Sequence, residues 1–292
     1  MTTSGVSDRA AFRRALRRAA PGLQRALPWI NHPDPWAILV SEVMLQQTQT
    51  ARVIEPWTIF LQRFPTPRAC ADAPLSSVLT VWGGLGFPRR AKALHTAAKT
   101  IRDEFQGVVP DDVRALRGLS GVGEYTANAV ASFAFGQRVA VLDTNVGRIV
   151  SRAIANKSLS VRDAREIAQS LLPRDDVAAF NQAMLDLGAQ YCRSTPLCES
   201  CPVRGGCAWR RHGGADPAPT SAGVSRPQGT FAGSNRQIRG RVLAMLREGP
   251  VSWTRLDQSL SEVTMERREL IVRSLIDDGL VEEVRRRLQL AK

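Results

Sequence analysis

The chain has 292 residues, with 40 Lys and Arg against 27 Asp and Glu, and therefore a formal net charge of +13. Such a charge favours a polyanionic partner, either a nucleic acid or an anionic membrane surface. No apolar run approaches the roughly 20 residues of a membrane-spanning helix, so we expect a nucleic-acid partner and no membrane. The length allows two domains and a small third unit.

The first 25 residues contain five arginines and many alanines, a composition that also occurs in organelle transit peptides. Phe12, Leu16 and Ala19 fall on one face of a helix, however, which predicts a surface helix of a folded domain. The segment also lacks the apolar core of a secretory signal. We therefore expect the protein to stay in the cytoplasm.

From Pro35 the sequence PWAILVSEVMLQQTQTARVI predicts a mostly apolar helix, in which Glu42 is out of place. One interpretation is a solvated glutamate on an exposed helix face. The other is a carboxyl group in a partly apolar site, where desolvation raises its pKa and suits it to general acid catalysis near neutral pH.

Two glutamines follow closely, and we expect Gln46 to lie one helical turn beyond Glu42 on the same face, with Gln47 beside it. A neutral amide both donates and accepts hydrogen bonds, as the edges of bases require. These side chains are therefore candidates for probing an opened base pair.

The segment GGLGFPRRAKALH, residues 83–95, joins three glycines and a proline to the start of a basic helix. The backbone can bend close to a ligand there, with Arg89, Arg90 and Lys92 available for phosphates. The alternative is a simple turn between helices with a basic exposed face.

A second glycine-rich turn, Gly121-Val122-Gly123, lies between a helical pattern that stops at Leu119 and another over 124–135. A turn that opens a helix presents backbone N–H groups and the positive end of the helix dipole, which suits a phosphate. An ordinary tight turn between two packed helices is the simpler alternative. Downstream, Asp143 can cap the helix that includes Val146.

Four cysteines occur close together in one stretch: Cys192, Cys198, Cys201 and Cys207. In a protein expected to stay in the cytoplasm, thiols this close indicate a metal site rather than disulfides. The spacing Cys-x5-Cys-x2-Cys-x5-Cys contains only one of the Cys-x2-Cys pairs that zinc sites commonly use in twos. Zinc and an iron–sulfur cluster both stay open on spacing alone.

Residues 213–235 are rich in Gly, Pro, Ser and Ala and predict a linker. Beyond it we predict helices over 237–247, 253–260 and 264–277, and a short strand pair in LVEEVRRRLQL. Three helices and a small hairpin look like a winged-helix unit. A compact helical appendage that binds a partner or stabilises the chain is the alternative.

The glycine-rich hairpin with its downstream aspartate resembles the endonuclease III superfamily of DNA glycosylases, and the string SEVMLQQT is similar to the catalytic helix of MutY-type adenine DNA glycosylases. The resemblance covers roughly residues 10–212. It implies an all-α fold in which two helical domains flank a DNA-binding cleft, and the pattern beyond the linker adds the C-terminal winged-helix-like appendage.

The resemblance also implies a division of the chain. Residues 1–35 and 141–212 would form a helical iron–sulfur domain, and residues 36–140 a six-helix barrel with the helix-hairpin-helix. The linker 213–235 and the winged-helix-like domain 236–292 would follow.

As a member of this family the chain would excise adenine paired with 8-oxoguanine or guanine in double-stranded DNA, by acid-assisted hydrolysis of the N-glycosidic bond. Glu42 would protonate adenine, and Asp143 would stabilise the cationic sugar, with Tyr125 and Asn145 positioning Asp143 and the sugar. Tyr125 stands where strand-cleaving relatives have a lysine, and a phenol cannot form a Schiff base. The enzyme would therefore be monofunctional.

The family further implies DNA contacts from Gln46, Gln47, Phe87, Arg89 and the turn of Gly121, Val122 and Gly123. Phe87 stands where the family usually has a tyrosine that wedges beside the flipped base, so stacking is kept and a hydroxyl is lost. We expect a [4Fe–4S] cluster on the four cysteines, although the family spacing has one more residue in the first interval. We expect a monomer.

Many adenine glycosylases of this type end in a larger domain that recognises 8-oxoguanine. We expect that domain to be absent, as in actinobacterial forms, which leaves the source of lesion discrimination open. One alternative is a thymine or uracil mismatch glycosylase of the same superfamily, and another is a non-catalytic iron–sulfur DNA-binding regulator. SEVMLQQT favours adenine, because a general acid aimed at N7 suits a purine.

Overall fold

The computed structural model describes residues 3–221 and 230–292, with only the helical backbone described for residues 3–8. The described residues are mostly helical and end in a small three-stranded sheet. The α-helices are α1 (Thr3–Leu23), α2 (Pro35–Leu45), α3 (Ile54–Arg63), α4 (Pro67–Asp72), α5 (Leu75–Trp82), α6 (Arg89–Glu104), α7 (Val113–Gly118), α8 (Glu124–Phe135), α9 (Thr144–Ile149), α10 (Val161–Leu171), α11 (Val177–Gln190), α12 (Ala208–His212), α13 (Asn235–Arg247), α14 (Trp253–Ser259) and α15 (Met265–Asp277). The strands are β1 (Val251–Ser252), β2 (Val281–Val284) and β3 (Arg287–Leu290).

The chain divides into two compact units. The first unit comprises Met1–Pro35, Asp111–Val113 and Gly123–Pro227, and the second comprises Trp36–Pro110, Arg114–Val122 and Gln228–Lys292. Helix α8 thus belongs to the first unit, whereas the division made from sequence placed it with residues 36–140. That division stays a prediction.

The core of the first unit forms where α1 packs on α11. Phe12 and Leu16 are fully buried on one face of α1, as its apolar spacing predicted. In α11 the buried side chain of Asn181 donates to Ser132 Oγ of α8 at 2.8 Å and to the backbone oxygen of Val139 at 2.9 Å. A buried amide with partners on two elements fixes how α8 and α11 pack.

The core of the second unit is aromatic. Trp36 in α2 donates from Nε1 to the backbone oxygen of Phe64 at 3.0 Å, and Trp57 in α3 donates to that of Ala37 at 2.9 Å. Phe60 meets the ring of Phe64 edge to face, with centroids 5.0 Å apart. These contacts bury α2 almost completely and hold it rigid within the unit.

The C-terminal part of the second unit confirms the predicted order of three helices and a strand pair. Strands β2 and β3 pair antiparallel, with Val281 opposite Leu290, and β1 adds a third strand that the sequence did not predict, with Val251 opposite Leu288. The helices begin at the serine or threonine caps Ser234, Ser252 and Thr264. Each cap accepts a backbone N–H of its first turn, which explains why the predicted starts are close to the observed ones.

Part of the stretch predicted as a linker, residues 213–235, falls on 222–229 and lies outside the described residues. The described residues before it are packed on the first unit. Arg152 pairs with Asp216 at 2.6 Å, Ser158 donates to the backbone oxygen of Thr220 at 2.8 Å, and Ser221 is 6% exposed. Among the helices of the described ranges, none is both long and apolar enough to cross a membrane.

Candidate active site

Glu42 lies on α2 and is 4% exposed. The apolar residues around it in sequence, Ile38, Leu39, Val43 and Met44, are each at most 2% exposed. Water is therefore largely excluded from the carboxyl group. The location agrees with the interpretation of Glu42 as a carboxyl group in an apolar site and excludes a solvated helix face.

Helix α2 ends at Leu45, earlier than the predicted helix, because Arg90 holds its end. The guanidinium Nη1 donates to the backbone oxygens of Val43 at 3.0 Å, Met44 at 2.8 Å and Gln46 at 2.5 Å. Carbonyl groups at the end of a helix have no partner within the helix, and a cation satisfies them. Gln46 is thus the first residue after α2, so the helix is shorter than predicted, while the placement of Gln46 on the face of Glu42 stays a prediction.

Arg90 also fixes the glycine loop that follows α5. Its guanidinium carbon lies 5.4 Å from the ring centroid of Trp82 and 5.2 Å from that of Phe87. Burial lowers the pKa of Arg90 to about 10. A guanidinium placed between two aromatic rings and five peptide oxygens is not available for a phosphate, so that part of the sequence interpretation is wrong.

Phe87 is half-buried and has a φ of +49°. A bulky residue rarely adopts this left-handed conformation, and such strain persists only where the surroundings enforce it. The loop is held from two sides, since Trp82 Nε1 donates to the oxygen of Gly86 at 3.1 Å and Arg52 donates to that of Gly84 at 2.8 Å. The ring of Phe87 is thus presented by a rigid loop.

Helix α7, the glycine turn and helix α8 follow one another along the chain in the predicted order. Gly121 has a φ of +76°, and a Cβ atom there would lie 2.7 Å from the Cβ of Ala93 in α6. Only glycine combines this backbone conformation with so close an approach. The oxygen of Gly121 accepts a hydrogen bond of 3.1 Å from Gln46 Nε2, so the turn and the end of α2 are in contact.

Gly121 and Gly123 are exposed, while Val122 is 6% exposed and points into the unit. Gly123 is the N-cap residue of α8 and accepts the backbone N–H of Ala127 at 2.9 Å. The turn therefore presents backbone groups to solvent at the start of a helix of twelve residues, the arrangement that suits a phosphate.

Asp143 is the N-cap of α9, as the sequence predicted. Its carboxylate accepts the backbone N–H of Val146 at 2.7 Å and the side-chain amide of Asn145 at 2.6 Å. Burial raises the pKa of Asp143, whereas these hydrogen bonds and the nearby charge of Arg148 act in the opposite direction. The carboxyl group is thus held in one orientation in a poorly hydrated place.

Arg148, also on α9, links Asn145 to the cysteine stretch. It donates to Asn145 Oδ1 at 2.6 Å, to the backbone oxygen of Cys192 at 2.7 Å and to that of Gly188 at 3.2 Å. A Cβ atom on Gly188 would lie 2.5 Å from the Cβ of Asn145, so α11 packs directly on this residue. The sequence did not indicate Arg148 or Gly188, because both act through contacts with residues about 40 positions away.

Tyr125 lies in the first turn of α8 and packs against the buried cluster of the first unit. Thr126 and Ala127 beside it are 2% and 0% exposed, so two small residues are buried in this part of the helix. Tyr125, from which we predict a monofunctional enzyme, is therefore fixed in a well-packed helix.

The four clustered cysteines line one small cavity of the first unit, together with Phe12 and Arg152. Arg152 is 1% exposed and donates to Cys192 Sγ at 3.5 Å. Burial raises the pKa of Cys201 to about 11. In the described ranges no three His, Cys, Asp or Glu side chains are arranged to hold a single metal ion.

The donor set nevertheless suits a cluster better than one ion, because four thiolates are the ligands of a [4Fe–4S] group and each binds a different iron atom. Their sulfur atoms therefore need not converge on one point. The hydrogen bond from Arg152 to Cys192 is of the kind that stabilises a ligating thiolate.

The predicted site residues fall into two groups, one in each unit. The second unit contains the acid, the amides, the loop and most of the hairpin turn: Glu42, Gln46, Gln47, Phe87, Arg89, Gly121 and Val122. The first unit contains the remaining glycine, the second carboxylate with its neighbours and the thiols: Gly123, Tyr125, Asp143, Asn145, Cys192, Cys198, Cys201 and Cys207.

Comparison with known proteins decides the family. The model of the HhH-GPD superfamily base excision DNA repair proteins matches residues 40–174. An adenine DNA glycosylase of Mycobacterium tuberculosis is 44% identical over 267 residues, which cover 88% of this chain and 86% of that protein. The chain belongs to the adenine DNA glycosylase family. This confirms the resemblance to MutY-type enzymes.

Two further relatives show how far the similarity extends. The adenine DNA glycosylase of Mycolicibacterium smegmatis is 44% identical, and the match covers 89% of each chain. The human adenine DNA glycosylase is 38% identical over 221 residues, which cover 70% of this chain and 40% of the human protein. The mycobacterial enzymes are thus matched over most of their length.

Solved structures share the fold. A thermostable thymine-DNA glycosylase matches with a TM-score of 0.64 and 26% identity, over 70% of this chain and 97% of its own. A trapped endonuclease III–DNA covalent intermediate matches with a TM-score of 0.61 at 24% identity, over 72% and 98%. The predicted helical fold class is confirmed.

As a member of this family, the chain is a DNA glycosylase of base excision repair, and DNA is its partner. The endonuclease III-like superfamily to which this glycosylase belongs commonly binds an iron–sulfur cluster.

Proposed function

We propose that this glycosylase removes adenine paired with 8-oxoguanine or guanine in double-stranded DNA and leaves the strand uncut. The observation that carries the proposal is the burial of Glu42, 4% exposed on α2 in a chain 44% identical to adenine DNA glycosylases. Adenine leaves its sugar readily only after protonation at N7, so the reaction needs an acid that keeps its proton near neutral pH.

Glu42 supplies that proton. In a duplex the adenine is stacked and paired, so the nucleotide is first flipped out, at a cost of a few kcal/mol that is lower for a mispair. Protonation then turns adenine into a neutral leaving group. Glu42, ionised after the transfer, accepts a proton from the attacking water.

Asp143 stabilises the positive charge that develops on the sugar as the bond breaks. The hydrogen bonds from Val146 N–H and Asn145 hold its carboxylate in place before the substrate arrives. A charge that is already oriented needs no reorganisation during the reaction, which is how such groups lower the barrier. Tyr125 helps to position Asp143 and the sugar and offers no amine for a Schiff base.

The DNA is held by phosphate contacts and by insertion at the opened pair. Gly121, Val122 and Gly123 present the hairpin turn to a phosphate, and Arg89 is exposed at the start of α6. Phe87 stacks beside the flipped base while Gln46 and Gln47 enter the gap. The contact between Gln46 and Gly121 supports a joint action of the amides and the turn.

Cys192, Cys198, Cys201 and Cys207 would hold a [4Fe–4S] cluster, which supplies a structural crosslink between α11 and α12. Purified protein should then be brown and contain about four irons per chain. Cys198→Ser should lose iron, while Cys70→Ser, at a buried thiol outside the group, should keep it. Retention of full iron by Cys198→Ser contradicts this ligand set.

We further propose that the enzyme acts as a monomer in the cytoplasm, in contact with the DNA it repairs. The charge of +13 supports binding to DNA and opposes self-association. The proposed domains are the helical iron–sulfur domain of residues 1–35 and 141–212, the barrel 36–140 and the C-terminal domain 236–292.

The function is tested with four duplexes that contain A:8-oxoguanine, A:G, T:G or A:T, each followed by alkali, which converts base loss into a strand break. We expect breaks at adenine in the first two duplexes and none before alkali. Breaks in the T:G duplex alone would establish the thymine mismatch alternative. Binding to the duplexes with no base loss from any of the four would establish the non-catalytic regulator.

A further inference from the structure

A groove of about 1020 Å³ lies within the second unit, between α13 and the loop of residues 83–90. Gln46, Gln47 and Phe87 line one side of it, and Phe231 and residues of α13 line the other. Glu42 does not line it, so the groove is distinct from the place where the proposed acid acts. Its volume lies at the upper end of the range for small-molecule pockets, and it is open to solvent.

The lining is strongly cationic. It includes six arginines, and none of the lining residues in the described ranges is Asp or Glu: the arginines are Arg52, Arg89, Arg90, Arg236, Arg239 and Arg247. Asp278 lies outside the lining, and its carboxylate accepts hydrogen bonds from two lining arginines, Arg89 and Arg239. Six positive charges against one negative charge favour a polyanion, and guanidinium groups suit phosphate oxygens.

Three of these arginines build the groove. Arg90 holds the end of α2, Arg52 donates to the oxygen of Gly84, and Arg247 of α13 donates to that of Gly83 at 2.8 Å. Lys92 of α6 donates to the backbone oxygen of Asp278 at 2.6 Å. The C-terminal helices are therefore fastened to the glycine loop, and the two walls of the groove are fixed to each other.

The remaining wall supplies groups that contact a ligand. Arg236 lies with its guanidinium carbon 5.9 Å from the ring centroid of Phe231, which is 59% exposed. An exposed aromatic ring beside a guanidinium is the combination on which single-stranded nucleic acid binds, the ring stacking on a base and the cation contacting a phosphate. Phe87 offers a second ring on the facing wall.

Helix α15 of the same C-terminal part is not basic on its exposed face. The exposed residues of α15 are Met265, Glu266, Glu269, Leu270, Arg273 and Asp277, so three acidic residues stand against one basic residue. A helix that reads bases must lie against phosphates, which repel this composition. Of these two helices, α13 on the groove side therefore carries the positive charge that suits DNA, while a second basic group, Arg285, Arg286 and Arg287, is exposed in the β2–β3 hairpin.

We propose that the groove binds one strand of the DNA beside the target pair, with Arg236 on a phosphate and Phe231 stacked on a base. The C-terminal part thereby extends the DNA-binding surface of the glycosylase. This inference rests on the proposed function, because Gln46, Gln47 and Phe87 bring the opened pair to one end of the groove.

The test uses a duplex with 2′-fluoroadenosine opposite 8-oxoguanine, which binds without base release. Binding is measured from low to high salt for wild type, Arg236→Gln and Phe231→Ala. The control is Arg273→Gln, an exposed arginine of α15 outside the groove. Loss of one phosphate contact makes the slope of log K against log salt shallower by about 0.9.

We expect Arg236→Gln to bind several-fold more weakly with this shallower slope, and Phe231→Ala to bind about tenfold more weakly with an unchanged slope. Arg273→Gln should match wild type. Wild-type affinity and slope in both groove variants would overturn the proposal. Because Phe231 is exposed, Phe231→Ala should fold normally and tests the proposal even where Arg236→Gln is unstable.

The two hypotheses fail separately. If wild type releases no adenine from A:8-oxoguanine while the groove variants weaken binding as described, the groove stands and the proposed function falls. If wild type releases adenine while the groove variants bind like wild type, the groove alone is rejected.

Discussion

Arg148 donates a hydrogen bond of 2.6 Å to the side-chain oxygen of Asn145, whose amide in turn donates to Asp143 at 2.6 Å. The position of the proposed charge-stabilising carboxylate thus depends on a guanidinium that also binds the backbone of Cys192. The carboxylate, its amide neighbour and the cysteine stretch form one connected network within the first unit.

The network predicts a catalytic defect for Arg148→Lys. A lysine satisfies one of the three acceptors and leaves Asn145 poorly held, so single-turnover adenine release should slow roughly 10- to 100-fold. Arg138→Lys is the matched control, since Arg138 donates to the backbone oxygens of Leu172 and Pro173 and has no contact with Asp143. Equal rates in the two variants would disprove the coupling.

Asp143→Asn separates catalysis from folding. Burial raises the pKa of Asp143, so above its ordinary pKa the ionised group lowers the stability of the folded chain, and a neutral amide removes that penalty. Asn is also a good N-cap, while one hydrogen bond to Asn145 is lost. The free energy of unfolding should change by less than about 1 kcal/mol.

Base release by Asp143→Asn should nevertheless fall at least about 100-fold, because the sugar cation loses its counter-charge. Urea unfolding and single-turnover kinetics on the same preparation measure the two effects. A large loss of stability would show that the carboxylate matters mainly as a helix cap.

The raised pKa of Asp143 also sets the acid side of the pH profile. Asp143 must be ionised to act, so the single-turnover rate should fall as the pH drops through its pKa, at a pH above the ordinary value of about 3.9. Asn145→Ala removes a hydrogen bond that lowers this pKa and should move the acid limb to higher pH. A limb that moves to lower pH would be inconsistent with ionised Asp143 as the active form.

The two glycines of the hairpin turn should respond differently to alanine. Gly121→Ala places a Cβ 2.7 Å from that of Ala93 at a φ of +76° and should cost more than about 2 kcal/mol in urea unfolding. Gly123 has a φ of −81° and open space around it, so Gly123→Ala should change stability by less than about 1 kcal/mol. Equal effects would show that the turn adapts freely.

The sequence predicted most elements whose signals are local. Helix α8 spans Glu124–Phe135 as its pattern indicated, Asp143 is a cap, and the C-terminal helices begin near their predicted starts. Each of these depends on periodicity, a capping side chain or a glycine within a few residues.

Features set by distant contacts were not predictable. Helix α2 ends at Leu45 because Arg90, more than 40 residues away in sequence, donates hydrogen bonds to the carbonyl oxygens at the end of the helix. The sequence likewise predicted both Arg89 and Arg90 as phosphate ligands. Their surroundings differ, because Arg90 is enclosed by other groups whereas Arg89 is exposed beside Asp278. The presence of a charged residue in a sequence does not show which neighbouring group it will bind in the fold.

The central claim is that Glu42 is the proton donor for adenine release, and Glu42→Gln tests it directly. The amide keeps the size of the side chain and cannot donate a proton to N7. In a single-turnover assay with an A:8-oxoguanine duplex, we predict no detectable adenine release by Glu42→Gln while the duplex is bound with near wild-type affinity. Release at the wild-type rate would contradict the account.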